Sequence, residues 1–378
     1  MSTPAFEFAA AGRVIFGSGS VAKVEGALDA LKVARPLLVT GRSDRFLDRL
    51  PKVGAMVRFV VPTEPTVDQI RAGRDLATRE RCDAVVALGG GSAIDAGKAI
   101  AGLAGNDGDV LDYMEIIGRS LPLPRPGLPC IAIPTTAGTG AEVTKNSVIA
   151  SPEDKVKASL RSPYLLPAYA IVDPDLLLLM PQPVLAATGM DALSHLVESF
   201  VSTKANPLTM ALAREGIGHS RRGLLRATTQ GLDAVACADL ALASLFGGFC
   251  LANSGLGAVH GFAAPLGGMW KAPHGVVCAA LLPKVIEANV FALRARAPKS
   301  PCLERFTELD GLLGGNAAVW VSAMVATLGI PSLGVIGLSR SDIPALVAKA
   351  KGASSMRGNP IDLTDDELSA IAHAAMGV

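Results

Sequence analysis

VVALGGGSAIDAGKAIA, residues 85–101, decides the fold class of the first half of the chain. It opens on a short apolar run, passes through three consecutive glycines, and continues as a helical pattern in which Ser92 is the expected N-cap. Glycine lets the backbone approach a ligand closely, and a helix N-terminus presents unpaired N–H groups to an anion. Gly90, Gly91 and Ser92 are therefore candidates for cradling a phosphate. Without a ligand, the same residues make a tight turn between strand and helix.

Similar runs lie on either side. RPLLVTG (35–41), MVRFVV (56–61), CDAVVALGGG (82–91), PCIAIPTT (129–136) and AYAIVDP (168–174) read as strands. VAKVEGALDALK, TVDQIRAGRDLATRE and SAIDAGKAIAGLA have helical spacing, and LPLPRPGLP (121–129) is a proline-stiffened loop. Alternation of this kind implies a mostly parallel sheet flanked by helices. Beyond DPDLLLLMPQPVLAATG the strands stop, and helical patterns separated by Gly and Pro run to the end. The expected architecture is an α/β nucleotide-binding domain over residues 1–178 followed by an all-α domain over 179–378.

Half of the 378 residues are hydrophobic and the formal net charge is +1. That balance gives no electrostatic footprint for nucleic acid or anionic lipid. The six cysteines lack any CxxC pair and read as reduced, buried thiols. With no basic segment ahead of an apolar run at the N-terminus, a cytoplasmic protein is expected. LALASLFGGFCLANSGLGAV (240–259) is uncharged and long enough to cross a bilayer. Its glycines, Ser244, Asn253 and Ser254 favour a buried helix of a large domain.

A second glycine turn, IPTTAGTGAEVT (133–144), places Thr135, Thr136 and Thr139 beside Gly138 and Gly140, with hydroxyls suited to phosphate or sugar oxygens. Two such turns at the ends of neighbouring strands mark the crevice where nucleotides bind in open parallel sheets. The helical half supplies metal-binding chemistry. In GMDALSHLVESF (189–200), Asp191 and His195 are four apart and share one helical face. GLGAVHGFAAPLGGMWKAPHGVV (255–277) adds His260 and His274. One straight helix would set those two about 21 Å apart, but Pro265, Gly267, Gly268 and Pro273 predict that the chain turns back. One carboxylate and three imidazoles suit Fe²⁺, Zn²⁺, Ni²⁺ or Mn²⁺. Taken singly, an Asp-x3-His on a helix is more usually a hydrogen-bonded pair and a lone histidine more usually a satisfied core residue. His219 and His373 read as ordinary surface residues.

These motifs, in this order, resemble the iron-dependent (group III) alcohol dehydrogenases, and GRVIFGSGSV and RGNPIDLTDDEL extend the resemblance to nearly the whole chain. It implies an N-terminal dinucleotide-binding domain, a C-terminal helical domain and a divalent metal, Fe²⁺ first and Zn²⁺ second, in the cleft between them. Carried over by position, Asp191, His195, His260 and His274 match the four ligands. Gly90, Gly91 and Ser92 match the pyrophosphate turn, and Thr135, Thr136 and Thr139 the second cofactor loop. Lys157 matches a lysine reaching the nicotinamide ribose, and a homodimer is implied.

Two positions depart from the family pattern. Ala264 stands where relatives commonly carry a further histidine facing the nicotinamide, which puts a proton relay through that position in doubt. Gly41 stands where NAD-preferring relatives place an Asp at the end of the first strand, and Arg42 follows it. Loss of that carboxylate admits NADP as well as NAD, and an arginine can pair with the extra phosphate. The expected activity is a metal-dependent NAD(P)-linked alcohol dehydrogenase or aldehyde reductase acting on a small alcohol or aldehyde, with Phe262 and Trp270 helping to exclude water. The competing readings are a maleylacetate reductase, a sugar-phosphate cyclase of the dehydroquinate synthase type, and an inactive nucleotide-binding relative. The cyclase should need a Lys/Arg cluster near the ligand motifs, and none is evident.

Overall fold

The computed structural model describes residues 5–51, 53–154, 156–270 and 272–377. They fall into two compact units, residues 9–180 and residues 181–378 together with the segment up to Phe8.

The first unit contains β1 (Arg13–Phe16), α1 (Val24–Ala30), β2 (Pro36–Thr40), β3 (Val57–Val60), α2 (Val67–Arg79), β4 (Ala84–Gly89) and α3 (Gly91–Ala104). After a single-turn α4 (Val110–Tyr113) come β5 (Cys130–Pro134), β6 (Asn146–Ser151), β7 (Val156–Arg161) and β8 (Tyr169–Val172). Six strands form one parallel sheet in the order β1-β8-β5-β4-β2-β3. β2, β4, β5 and β8 are buried along their whole length, which is why they read as continuous apolar runs rather than alternating ones. Leu37, Val39, Val85, Ala87 and Ala132 face one core with α2 and α3, while Leu38, Val86, Leu88, Ile131 and Ile133 face another with α1.

Three features were not legible in the sequence. β1 is only four residues long and pairs with β8 at the sheet edge. β6 and β7 form a separate antiparallel pair whose polar residues hide its strand character. The N-cap of α3 is Gly90 rather than Ser92, because the helix starts within the glycine run directly after β4.

The second unit is helical: α5 (Gln182–Val201), α6 (Pro207–Thr229), α7 (Ala234–Ser254), α8 (Ala258–Met269), α9 (His274–Arg296), α10 (Pro301–Leu313), α11 (Ala317–Thr327), α12 (Ile343–Gly352) and α13 (Asp365–Ala375). α5 lies at its centre, buried on every side from Gly189 to Val201 and packed against α6, α7 and α9. The uncharged stretch 240–259 is not one helix, since α7 ends at Ser254 and α8 begins at Ala258. Between His260 and His274 the chain does leave the helix, at Trp270, although Pro265 is accommodated inside α8. α7 and α9 are each long and apolar enough to cross a membrane by length and composition, as are α10 and α11 if counted as one bent span. In the fold, 56% and 67% of the apolar windows of α7 and α9 are buried within the protein.

Lys98 ties the sheet unit together. Fully buried on α3, its ammonium donates to Ala141 O at 2.8 Å, Thr144 Oγ1 at 2.9 Å and Asn146 O, and it pairs with Asp95 at 3.1 Å. The Asp95 carboxylate also accepts from Val148 N at 3.0 Å. Lys98→Met would leave that carboxylate without its counter-charge. Urea unfolding should show a loss of about 3–5 kcal/mol, largely recovered in the Asp95→Asn, Lys98→Met double variant.

Candidate functional site

In the helical unit, three helices converge their histidines on one carboxylate. Asp191 and His195 lie one turn apart on α5, His260 sits in the first turn of α8, and His274 is the first residue of α9, after the N-cap Pro273. The Nε2 atoms of His260, His274 and His195 stand 3.5, 3.6 and 4.0 Å from Asp191 Oδ1. None makes a hydrogen bond to it, so Oδ1 is a buried acceptor with no partner. A carboxylate oxygen in that state, ringed by imidazole nitrogens, fits a divalent cation at the centre of the ring. Burial alone would raise the Asp191 carboxyl, yet the facing imidazoles outweigh it and hold the group well below the ordinary carboxylate range. Asp191, His195 and His260 are almost fully buried, whereas the His274 side chain is 42% exposed and forms the open side of the cluster.

Two participants beyond the sequence candidates complete the centre. Cys278, one turn after His274 on α9, places Sγ 3.6 Å from both His260 Nε2 and His274 Nε2. Among the described residues, Asp191, His260, His274 and Cys278 form a group whose donor atoms all lie within 4.8 Å of one another. Glu198, three residues after His195, accepts from His260 Nδ1 at 2.6 Å through Oε2 and from Val259 N at 2.6 Å through Oε1. A proton held on Nδ1 by that carboxylate leaves the Nε2 lone pair facing the cluster. The spacings H-x3-C and H-x2-E were both in the sequence, but short spacings of this kind are common on helices. Behind them, Asn359 pairs reciprocally with Asn289 and accepts from Ala258 N at 3.1 Å, fixing the start of α8. Gly257 is needed there, because a Cβ would stand 2.8 Å from Asn359 Oδ1 and 3.0 Å from Glu198 Oε1.

The sheet unit holds the glycine turns side by side. Gly89 of β4 is in register with Pro134 of β5, and Thr135 N donates to Gly89 O at 2.9 Å. Thr139 packs so closely on Gly91 that a Cβ there would lie 2.8 Å from its methyl and 2.9 Å from its hydroxyl. Thr136 approaches Gly90 in the same way. Among the described residues no side chain caps the N-terminus of α3, so its first N–H groups remain available to an anion. Gly41 follows β2, whose Thr40 is in register with Leu88, so it borders the first turn; Arg42 beside it is exposed. Lys157 lies on β7, where Nζ donates to Glu64 Oε1 at 2.6 Å. His219 is not an ordinary surface residue, for it is only 15% exposed and held between Asp239 at 2.6 Å and Glu215 at 3.3 Å.

Two family models match the chain almost end to end: "Iron-containing alcohol dehydrogenase" over residues 11–174 and "Fe-containing alcohol dehydrogenase family, C-terminal" over residues 185–376. The chain belongs to the iron-containing alcohol dehydrogenase family. It is 34% identical to a 1,3-propanediol dehydrogenase of Klebsiella pneumoniae, with 98% of this chain and 99% of the relative covered. It is 32% identical to an NAD-dependent methanol dehydrogenase of Bacillus methanolicus, with 96% and 97% covered. A crystal structure of a 1,3-propanediol oxidoreductase superposes with a TM-score of 0.89 at 32% identity, covering 98% of this chain and all of that one. As a member of this family, the chain is a metal-dependent alcohol dehydrogenase or aldehyde reductase that works with a nicotinamide dinucleotide.

Two measurements follow from the geometry. Glu198→Gln removes the charge that holds the proton on His260 Nδ1, and metal affinity measured against a competing chelator should fall about 10- to 100-fold. In the second glycine turn, burial pushes the Glu142 carboxyl from 4.5 up to about 7, partly offset by its own backbone N–H and by Lys98. Between those values the folded chain keeps a proton that the unfolded chain has lost, so stability falls as pH rises. Above about pH 8 the full cost, about 3 kcal/mol, is present. Glu142→Gln should flatten that part of the pH–stability profile and be the more stable protein at pH 8.

Proposed function

We propose that this enzyme interconverts small alcohols and aldehydes at an ion held by Asp191, His195, His260 and His274, with the dinucleotide seated on the two glycine turns. The observation that carries the metal assignment is the partnerless Oδ1 of Asp191 facing three imidazole nitrogens. The pyrophosphate would sit at Gly90, Gly91 and Ser92, with Thr135, Thr136 and Thr139 bordering it, and Lys157 would exchange its Glu64 partner for the nicotinamide ribose. When bound, the divalent ion, Fe²⁺ or Zn²⁺, supplies Lewis acidity toward the substrate oxygen and the nicotinamide carries the two electrons.

The chain's own residues orient and desolvate. Glu198 fixes the tautomer of His260, while Asp191 supplies the one negative charge among the four donors. Phe262, two residues after His260 on α8, is fully buried. Trp270 caps the same helix, partly exposed. Ala264 is exposed and has no proton to give, so this position offers no relay and solvent would have to take up the alcohol proton.

We further propose that the cofactor is NADP as readily as NAD. Directly after β2 stands Gly41 rather than a carboxylate, and Arg42 beside it is exposed, which removes the repulsion a carboxylate at that position would exert on a 2′-phosphate. The protein is proposed to act in the cytoplasm as a homodimer, without nucleic-acid or membrane partners.

The test is NADPH- and NADH-dependent reduction of a panel of small aldehydes by anaerobically purified protein. Chelation should abolish turnover and Fe²⁺ or Zn²⁺ should restore it. Gly41→Asp should lower kcat/KM for NADPH about 10- to 100-fold, the scale of one charged hydrogen bond, while sparing NADH. Turnover that survives complete metal removal would sink the metal assignment, and wild-type protein indifferent to NADPH would sink the cofactor assignment.

A further inference from the structure

We infer that Cys278 is itself a ligand of the metal in this chain, making the centre a mixed carboxylate, imidazole and thiolate site. The inference rests on the proposed roles of Asp191, His260 and His274 and concerns what distinguishes this site.

Two neighbouring donors bound at about 2.0–2.3 Å to one ion are separated by about 2.8–3.7 Å, whether the ion takes four donors or expands to admit His195 and substrate. Cys278 Sγ stands 3.6 Å from His260 Nε2 and 3.6 Å from His274 Nε2. Those nitrogens stand 3.5 and 3.6 Å from Asp191 Oδ1. Four of the six pairs among these donors therefore already have that spacing and all lie within 4.8 Å of one another, with Asp191 Oδ1 lacking any hydrogen-bond partner. His195 Nε2, at 4.0 Å from Oδ1, is set slightly wider. The backbone explains the fit: His274 and Cys278 are one turn apart on α9, so both side chains project from one face toward α5 and α8. The remaining cysteines are buried elsewhere and join no such group among the described residues.

Binding replaces the S–H bond with a sulfur–metal bond and releases one proton to solvent, with no change of oxidation state. A thiolate adds negative charge and softness to the donor set. The site should therefore favour Zn²⁺, Co²⁺ and Fe²⁺ over Mn²⁺ and Mg²⁺ more strongly than one carboxylate and three imidazoles alone.

The experiment loads the metal-stripped full-length protein with Co²⁺ and records its absorption spectrum. One Co²⁺ per chain should give visible ligand-field bands together with a near-ultraviolet thiolate-to-cobalt charge-transfer band. Cys278→Ser should keep the visible bands and lose the near-ultraviolet one, and its Zn²⁺ affinity relative to Mn²⁺ should drop at least about tenfold. Cys278→Ala serves if the serine variant does not fold, and the wild-type spectrum stands without either. Bound Co²⁺ with visible bands but no charge-transfer band would overturn the thiolate ligand and leave the four-residue assignment intact, the thiol then being only a weak donor to the imidazoles. No retained Co²⁺ would overturn both.

Discussion

A buried carboxylate with one unanswered oxygen is the constraint around which the helical unit is arranged. Asp191 is almost wholly removed from solvent, and an isolated charge in that position costs several kcal/mol unless something balances it. The three imidazoles nearest Oδ1 come from different helices, so α5, α8 and α9 must keep their relative placement for the balance to hold. Much of the surrounding detail serves that placement. Glu198 holds both the ring of His260 and the backbone at Val259, and the Asn289–Asn359 pair holds Ala258. A second buried carboxylate thus turns the imidazole toward the first.

The sheet unit solves a different problem, which is to bring two glycine turns into close packing. Register between β4 and β5 sets them side by side, and Lys98 fastens the second turn from beneath through carbonyls and a hydroxyl. An ammonium with its donors satisfied is rigid, whereas an apolar side chain of that length would leave those acceptors unpaired. The same burial that makes Lys98 effective makes Glu142 expensive to ionise.

The architecture was largely legible because strands buried on both faces leave unbroken apolar runs, as at 36–40, 84–89 and 130–134. The short edge strand β1 and the polar pair β6–β7 owe their conformation to a partner strand, which local pattern does not reveal. The four candidate ligands stood out as imidazoles and a carboxylate in apolar surroundings. Cys278 and Glu198 did not, since a thiol and a carboxylate on a helix are ordinary until the fold aims them. The displaced cap of α3 shows the same limit: a serine ahead of a helical pattern is a good cap, but the glycine before it had already begun the turn.

The distribution of the donors has a consequence for how the chain is made. Glu198 and His260, in direct contact, are 62 positions apart, and the last donors wait on α9. A ribosome must therefore release about half of the helical unit before an ion held as proposed can close these loops. Until then, α7 and α9, apolar enough to suit a bilayer, lack much of the protein that covers them. Once captured, the ion acts as a cross-link between distant segments and stabilises only the assembled unit, by about 2.7 kcal/mol when free metal is a hundredfold above the dissociation constant. With the ion held as proposed, metal supply would raise the folded fraction as well as the activity of the enzyme.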